Sequence, residues 1–268
     1  VTQPLMNTNF AHWIVYPAVM LSGPAMLFFF LWMALRPQDS RRCGYGTIAF
    51  AAMLGMCYLV NSFLGGMTYV SVRYDLYVSR LDGLLGFQPS AAVAHFVRAM
   101  PPWFNLVLLL TYGGMFAFAT ILVITAQWKK WESPLKALML NGVLAPVLYL
   151  LCPVSGPVYA FPSFPEMPAT AAHPIYLSSP PNGMPSVHFA TALLIFWFAR
   201  RSKIGAALAG VLVALTFIAT LGSGEHYLAD LVMSFPYAWA CCKLAKVRFR
   251  GPSFLRSACP SALAEVKP

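Results

Sequence analysis

The sequence predicts an all-α integral membrane protein with about seven transmembrane helices, and three observations carry that expectation. Of 268 residues, 59% are hydrophobic and 10% charged, whereas soluble domains carry charge on about a quarter of their residues. Seven apolar stretches divide the chain, most of them near the ~20 residues that cross a bilayer. Basic residues crowd every second connecting segment, which is the pattern of alternating membrane sides. The same composition, with 15% aromatic residues, excludes a disordered chain.

The first stretch, 13–35, is too long and evenly apolar for a signal peptide, and no small-residue cleavage pattern follows it. The second covers 47–69. Residues 70–102 then interleave Tyr74, Leu76, Tyr77, Leu81, Leu84 and Leu85 with Arg73, Asp75, Arg80 and Asp82. That alternation predicts an amphipathic helix on the outer membrane surface, ended by the Gly86 region and Pro89. Spans 103–126 and 135–152 follow. Residues 153–185 carry nine prolines and almost no charge, a stiff loop of the length that more often serves as a lid than as filler. The fifth span, 186–199, has 14 residues, roughly 21 Å of helix against a hydrocarbon core of ~30 Å. One of its ends should therefore lie inside the membrane profile. Spans 204–222 and 227–244 complete the series.

Arg36, Arg41 and Arg42 follow the first span, Lys129, Lys130 and Lys136 the third, and Arg200, Arg201 and Lys203 the fifth. With the basic tail from Lys243 to Lys267, one side holds 15 of the 18 basic residues, and the other only Arg73, Arg80 and Arg98. The positive-inside rule makes the basic side cytoplasmic, with the N-terminus outside and the C-terminus inside. The net charge of +10 thus reads as topology and implies no nucleic-acid partner. All five histidines and five of the eight acids fall on the outer side or at outer helix ends, where ionisable groups near membrane depth are functional candidates. The six cysteines form no disulfide framework and no CxxC or His-rich spacing, so neither a metal nor another cofactor is expected.

Two strings carry the chemistry. Gly183-Met184-Pro185-Ser186-Val187-His188 opens the fifth span, and Gly222-Ser223-Gly224-Glu225-His226-Tyr227-Leu228-Ala229-Asp230 opens the seventh. On one helix His226 and Asp230 would be i and i+4 and share a face. A carboxylate on one ring nitrogen fixes the tautomer and leaves the other as a directed lone pair, which suits a nucleophile or a base. A single helical hairpin separates His188 from His226, so both return to the same face. One imidazole would attack phosphorus and the other would protonate the departing oxygen. Helix N-termini favour anions, which makes Ser186, Ser223 and Gly224 candidate phosphate contacts. Arg98 is the candidate cation from another loop, and Asp82 and Tyr112 are candidate headgroup contacts.

Pro-Ser-x-His at 185–188 followed by His-x-x-x-Asp at 226–230, each heading a transmembrane helix on one side, resembles the type 2 phosphatidic acid phosphatase superfamily. That resemblance implies a membrane enzyme cleaving lipid phosphoesters or pyrophosphates without metal, through a phosphohistidine. His226 would be the nucleophile, Asp230 its orienting partner and His188 the general acid, with Ser186 helping to hold phosphate. It also implies that six spans form the catalytic bundle and the first is an addition. The chain would then divide into an extra helix and cytoplasmic loop at 1–46, a catalytic bundle at 47–245, and a basic cytoplasmic tail at 246–268. Two motifs of the phosphatase branch are missing. There is no Lys-x6-Arg-Pro string before Pro185, and Thr220 stands where an arginine precedes the nucleophile by six residues.

Both losses resemble the transferase branch, which includes inositol phosphorylceramide synthase and sphingomyelin synthase. The strings Leu81-Asp82-Gly83-Leu84-Leu85-Gly86-Phe87 and Pro153-Val154-Ser155-Gly156-Pro157 are similar to bacterial relatives of the former. The function expected is a lipid phosphotransferase on the non-cytoplasmic face, moving a phosphate or phospho-headgroup from a membrane lipid to an alcohol. Two alternatives remain at this point, a lipid phosphate phosphatase with water as acceptor and a non-enzymatic membrane protein or transporter.

Overall fold

The computed structural model describes residues 72–115, 132–167, 175–176 and 181–246. The expected spans at 13–35 and 47–69, the end of the third span and the tail from 247 lie outside the described residues.

Among those residues the chain is helical, with one two-stranded ladder. β1 (Val72–Arg73) pairs antiparallel with β2 (Ile175–Tyr176), Val72 opposite Tyr176, and so ties the proline-rich segment to the start of α1 (Asp75–Gly83). α2 (Pro89–Ala99) and α3 (Pro102–Gly113) each place a proline in the first turn, where its missing N–H costs nothing. α4 (Glu132–Leu151) leads through an irregular loop to the single turn α5 (Pro157–Ala160). α6 (Val187–Ala199) starts at Ser186, whose hydroxyl accepts from the Phe189 N–H. α7 (Lys203–Gly222) starts at Ser202, which caps Gly205 in the same way. α8 (Leu228–Leu244) follows a short loop. These helices reproduce the four apolar stretches from 135 to 244 to within a few residues.

α6 is the centre of the bundle, packed against α4, α7 and α8, and α7 also carries α2 and α3. Small residues make the approach possible: Ala137, Ala145, Ala190 and Ala238 lie fully or almost fully buried between α4, α6 and α8. Such close helix contact is the packing that works in lipid. The polar side chains inside the bundle bond largely to the helices themselves. Thr191, Thr216, Thr220 and Ser234 each donate to the carbonyl four residues back, at 2.7 to 2.8 Å. Outward faces are apolar instead, with Ile204, Leu208 and Val211 on α7 and Val232, Phe235 and Trp239 on α8 all exposed. α7, with 20 residues, is long and apolar enough to cross a membrane. α6, with 13 residues, reaches only about 20 Å.

The segment at 70–102 differs from its expected form in two ways. Pro89 opens a second helix, α2, instead of closing the first, and α2 lies against the C-terminal end of α7, where Val93 and Val97 abut Gly222. The polar face of the amphipathic helix α1 is also engaged by the protein. Its acids Asp75 and Asp82 are buried, while Tyr77, Leu81, Leu84 and Leu85 face outward. Unpaired backbone N–H groups at two neighbouring loop and helix ends draw the carboxylates inward. Asp75 accepts from Ser155 N and Gly156 N (3.1 and 2.8 Å), and Asp82 from Leu228 N and Ala229 N (2.7 and 3.0 Å).

Burial pushes both carboxyls up to about 6, against the opposing pull of these N–H donors. A carboxyl raised above its unfolded value of about 4 contributes stability that is complete below that pH and lost as the pH rises through the folded value. A displacement of this size is worth on the order of 3 kcal/mol per group. The melting temperature of the protein in detergent should therefore rise between pH 7.5 and pH 4.5, and the rise should shrink in Asp75→Asn and Asp82→Asn. An unchanged pH profile in both variants would contradict the assignment.

Candidate active site

Three loops meet where α4 and α7 end and α6 begins, and the backbone stitches them together. Gly183 N donates to Val154 O (2.6 Å), and Val158 N donates to Gly224 O (2.9 Å). Two glycines make the approach possible. A Cβ on Gly156, whose φ is +125°, would collide with the Glu225 carbonyl, and one on Gly183 would fall 2.7 Å from Val154 O.

His226 is buried in the third loop. Its Nδ1 lies 2.9 Å from Gly183 O and 3.4 Å from Asp230 Oδ2. A carbonyl oxygen only accepts, so Nδ1 carries the hydrogen and Nε2 keeps the lone pair. Ser90 Oγ, from α2, donates to the His226 carbonyl (2.9 Å) and fixes the backbone at the same point. The expectation that His226 and Asp230 share a helix face is corrected here. α8 begins at Leu228, because Asp230 Oδ2 accepts the Tyr227 N–H at 2.8 Å and Asp82 takes the next two N–H groups. Asp230 reaches His226 from the first turn of a capped helix, and its Oδ1 is buried with no hydrogen-bond partner.

His188 sits in the first turn of α6, its ring stacked on Tyr112 of α3 at 4.0 Å with the planes 18° apart. It lies near enough to His226 for the charge on one to be felt by the other. Tyr112, expected as a headgroup contact, is thus packed on a candidate catalytic ring and also faces Glu225. Tyr159 donates its hydroxyl to the same carboxylate at 3.4 Å.

The other expected contacts divide between the site's frame and its rim. Ser186 is fully buried and caps α6. Ser223 donates to Thr220 O (3.1 Å) and accepts from Glu225 N. Gly224, with φ +74°, lies under the Phe164 ring. Arg98 Nη2 donates to Phe164 O (3.2 Å), which brings the guanidinium to this rim, and its buried Nε has no hydrogen-bond partner. Asp82 has both oxygens engaged by helix N–H groups, which makes it a helix cap in this structure. Thr220 is buried with its hydroxyl turned onto its own helix. Among the described residues no group of three or more His, Cys, Asp or Glu could hold a metal ion.

Four contributors escaped sequence reasoning: the Gly183 carbonyl, Ser90, Asp75 and Arg73. Arg73 is fully buried, and its Nε donates to Ser155 Oγ (3.2 Å). Burial pulls its guanidinium down while Asp75 pushes it back up. A glycine just before Pro-Ser-x-His is a readable sign of close backbone approach; nothing in the local pattern singles out Ser90.

No curated protein and no solved structure matches the chain. The family model of the PAP2 superfamily matches residues 76–244, well over half of the chain, and spans α1 to α8 with every site residue named above except Arg73 and Asp75. Membership in that superfamily points to phosphatase or phosphotransferase activity on phosphate esters. The chain belongs to the PAP2 superfamily.

Proposed function

We propose that the protein is a membrane lipid phosphotransferase that works through a phosphohistidine on His226. The observation that carries this reading is the committed Nδ1 of His226. With that nitrogen bonded to Gly183 O, Nε2 is a lone pair held in a fixed direction beside a second imidazole. His226 Nε2 attacks phosphorus, and the P–O bond to the donor's leaving oxygen breaks. His188 gives its proton to that oxygen. An acceptor alcohol then loses its proton to His188 and attacks phosphorus, and the P–N bond breaks. Asp230 stabilises the imidazole as it becomes charged. Arg98, with its unspent Nε–H, and the α6 N-terminus at Ser186 hold the phosphate, with Ser223 and Gly224 beside it.

Two features favour transfer to an alcohol. The chain lacks the cationic motifs of the phosphatase branch, and the residue in place of the second cation, Thr220, is turned into its own helix. The phosphatase character general to the superfamily supports a second reading, with water as acceptor. In either case the charge distribution supports seven spans, a cytoplasmic C-terminus and chemistry on the non-cytoplasmic face. A C-terminal tag should then be protected in sealed right-side-out vesicles and an N-terminal tag accessible. The reverse pattern would move the site to the cytoplasmic side.

His226→Ala should abolish turnover and the acid-labile phosphoenzyme; a variant still working near the parent rate would refute the reading. His188→Ala should cripple ordinary ester substrates and cost far less with a nitrophenyl ester, whose leaving group needs no proton. Asp230→Asn should slow turnover by roughly 10- to 100-fold, less than the ~10⁴ seen where an aspartate alone holds the tautomer, because Gly183 O shares that task. Activity should persist in EDTA; a loss restored by a divalent ion would overturn the metal-free mechanism. Mass analysis of lipid products with and without added alcohol separates transfer from hydrolysis.

A further inference from the structure

The two buried acids of α1 take no part in the chemistry above, yet both act on the loops that hold His226. Asp75 and Asp82 lie seven residues apart, two helical turns or about 10 Å along one face. Asp75 grips Ser155 N and Gly156 N. The neighbouring carbonyl, Val154 O, accepts from Gly183 N at 2.6 Å, and Gly183 O is the group that fixes Nδ1 of His226. Asp82 grips Leu228 N and Ala229 N, the second and third residues after His226. The first acid therefore sets the acceptor of the histidine's hydrogen bond, and the second sets the backbone from which the histidine projects.

We infer that Asp75 and Asp82 are positioning residues, a two-point clamp by which α1 fixes the direction of Nε2 of His226. Neither touches the reacting atoms. The inference rests on the phosphohistidine reading for its kinetic consequence, and on geometry alone for its structural one. A carboxylate can accept from two N–H groups at once. An asparagine of the same shape accepts on one side only and turns an N–H₂ toward the other donor. Asp82→Asn should thus release one of two adjacent helix N–H groups without emptying the site.

The test uses the full chain in lipid nanodiscs and p-nitrophenyl phosphate as probe. Its leaving group departs unaided, so proton donation by His188 drops out of the first step. In the second step water, giving its proton to His188, takes the phosphate from Nε2 of His226 as the P–N bond breaks. Asp82→Asn and Asp75→Asn should each lower kcat at least tenfold with KM within twofold of the parent. Amide exchange should also quicken in peptides covering 222–231 for Asp82→Asn, and 152–157 for Asp75→Asn. Ser202→Ala removes a comparable cap from the far end of α7. It serves as the control, with a lowered melting temperature and an unchanged kcat. Unchanged exchange in both acid variants overturns the clamp, whatever the activity. Faster exchange with kcat within twofold of the parent overturns the positioning role. A parent that never turns over the probe or any lipid phosphoester instead rejects the function proposed above, while the exchange result still decides the clamp.

Discussion

A neutral imidazole has one N–H to give, and this fold gives the one on His226 to the carbonyl of Gly183. Everything near the site follows from keeping that carbonyl in place. Gly183 must approach the 153–157 loop too closely for any side chain. That loop must hold its own geometry, which Arg73 of β1 and Asp75, the first residue of α1, provide. The loop bearing His226 must end in a helix that starts just beyond it, and Asp82 and Asp230 supply that start by capping α8. The bond itself is ordinary, worth about 1 kcal/mol in net stability. Its value is directional, because it decides which nitrogen is free and where that nitrogen points.

The outward faces of the described helices suit a medium without water. Leucine, valine and aromatic side chains face outward, alanines line the helix contacts, and hydroxyls fold back onto their own helices. At the far ends of α6 and α8, Arg200 lies over Trp197 and Lys243 near Trp239. Amphipathic pairs of this kind belong at a membrane–water interface. α6, with 13 residues, is shorter than α7, with 20.

The helices of the bundle were legible because lipid imposes long apolar runs with sharp ends, and the described boundaries of α4, α6, α7 and α8 fall within a few residues of the apolar stretches. The sequence pointed to His188, His226 and Asp230 together through their spacing, and the structure sets Asp230 against His226 with His188 near it. What escaped were interactions whose partner is backbone. A carboxylate that caps a helix more than a hundred residues away in sequence has no local signature, so Asp82 read as a headgroup contact. The same blindness hid the Gly183 carbonyl, because a pairing of histidine with aspartate offers a complete explanation of the tautomer from side chains alone. Pro89 was misjudged for a different reason: a proline ends one helix as readily as it begins the next, and only the packing of α2 on α7 decides between them.

The claim that Nδ1 is committed and Nε2 attacks can be read directly from the chemistry of the trapped intermediate. The two phosphohistidine isomers differ in their nitrogen and phosphorus NMR signatures and in their acid lability. Protein labelled with ¹⁵N-histidine, quenched during turnover of a phosphoester and digested under mild base, should yield phosphate on Nε2 of His226. Phosphate on Nδ1, or on another residue, would contradict the account.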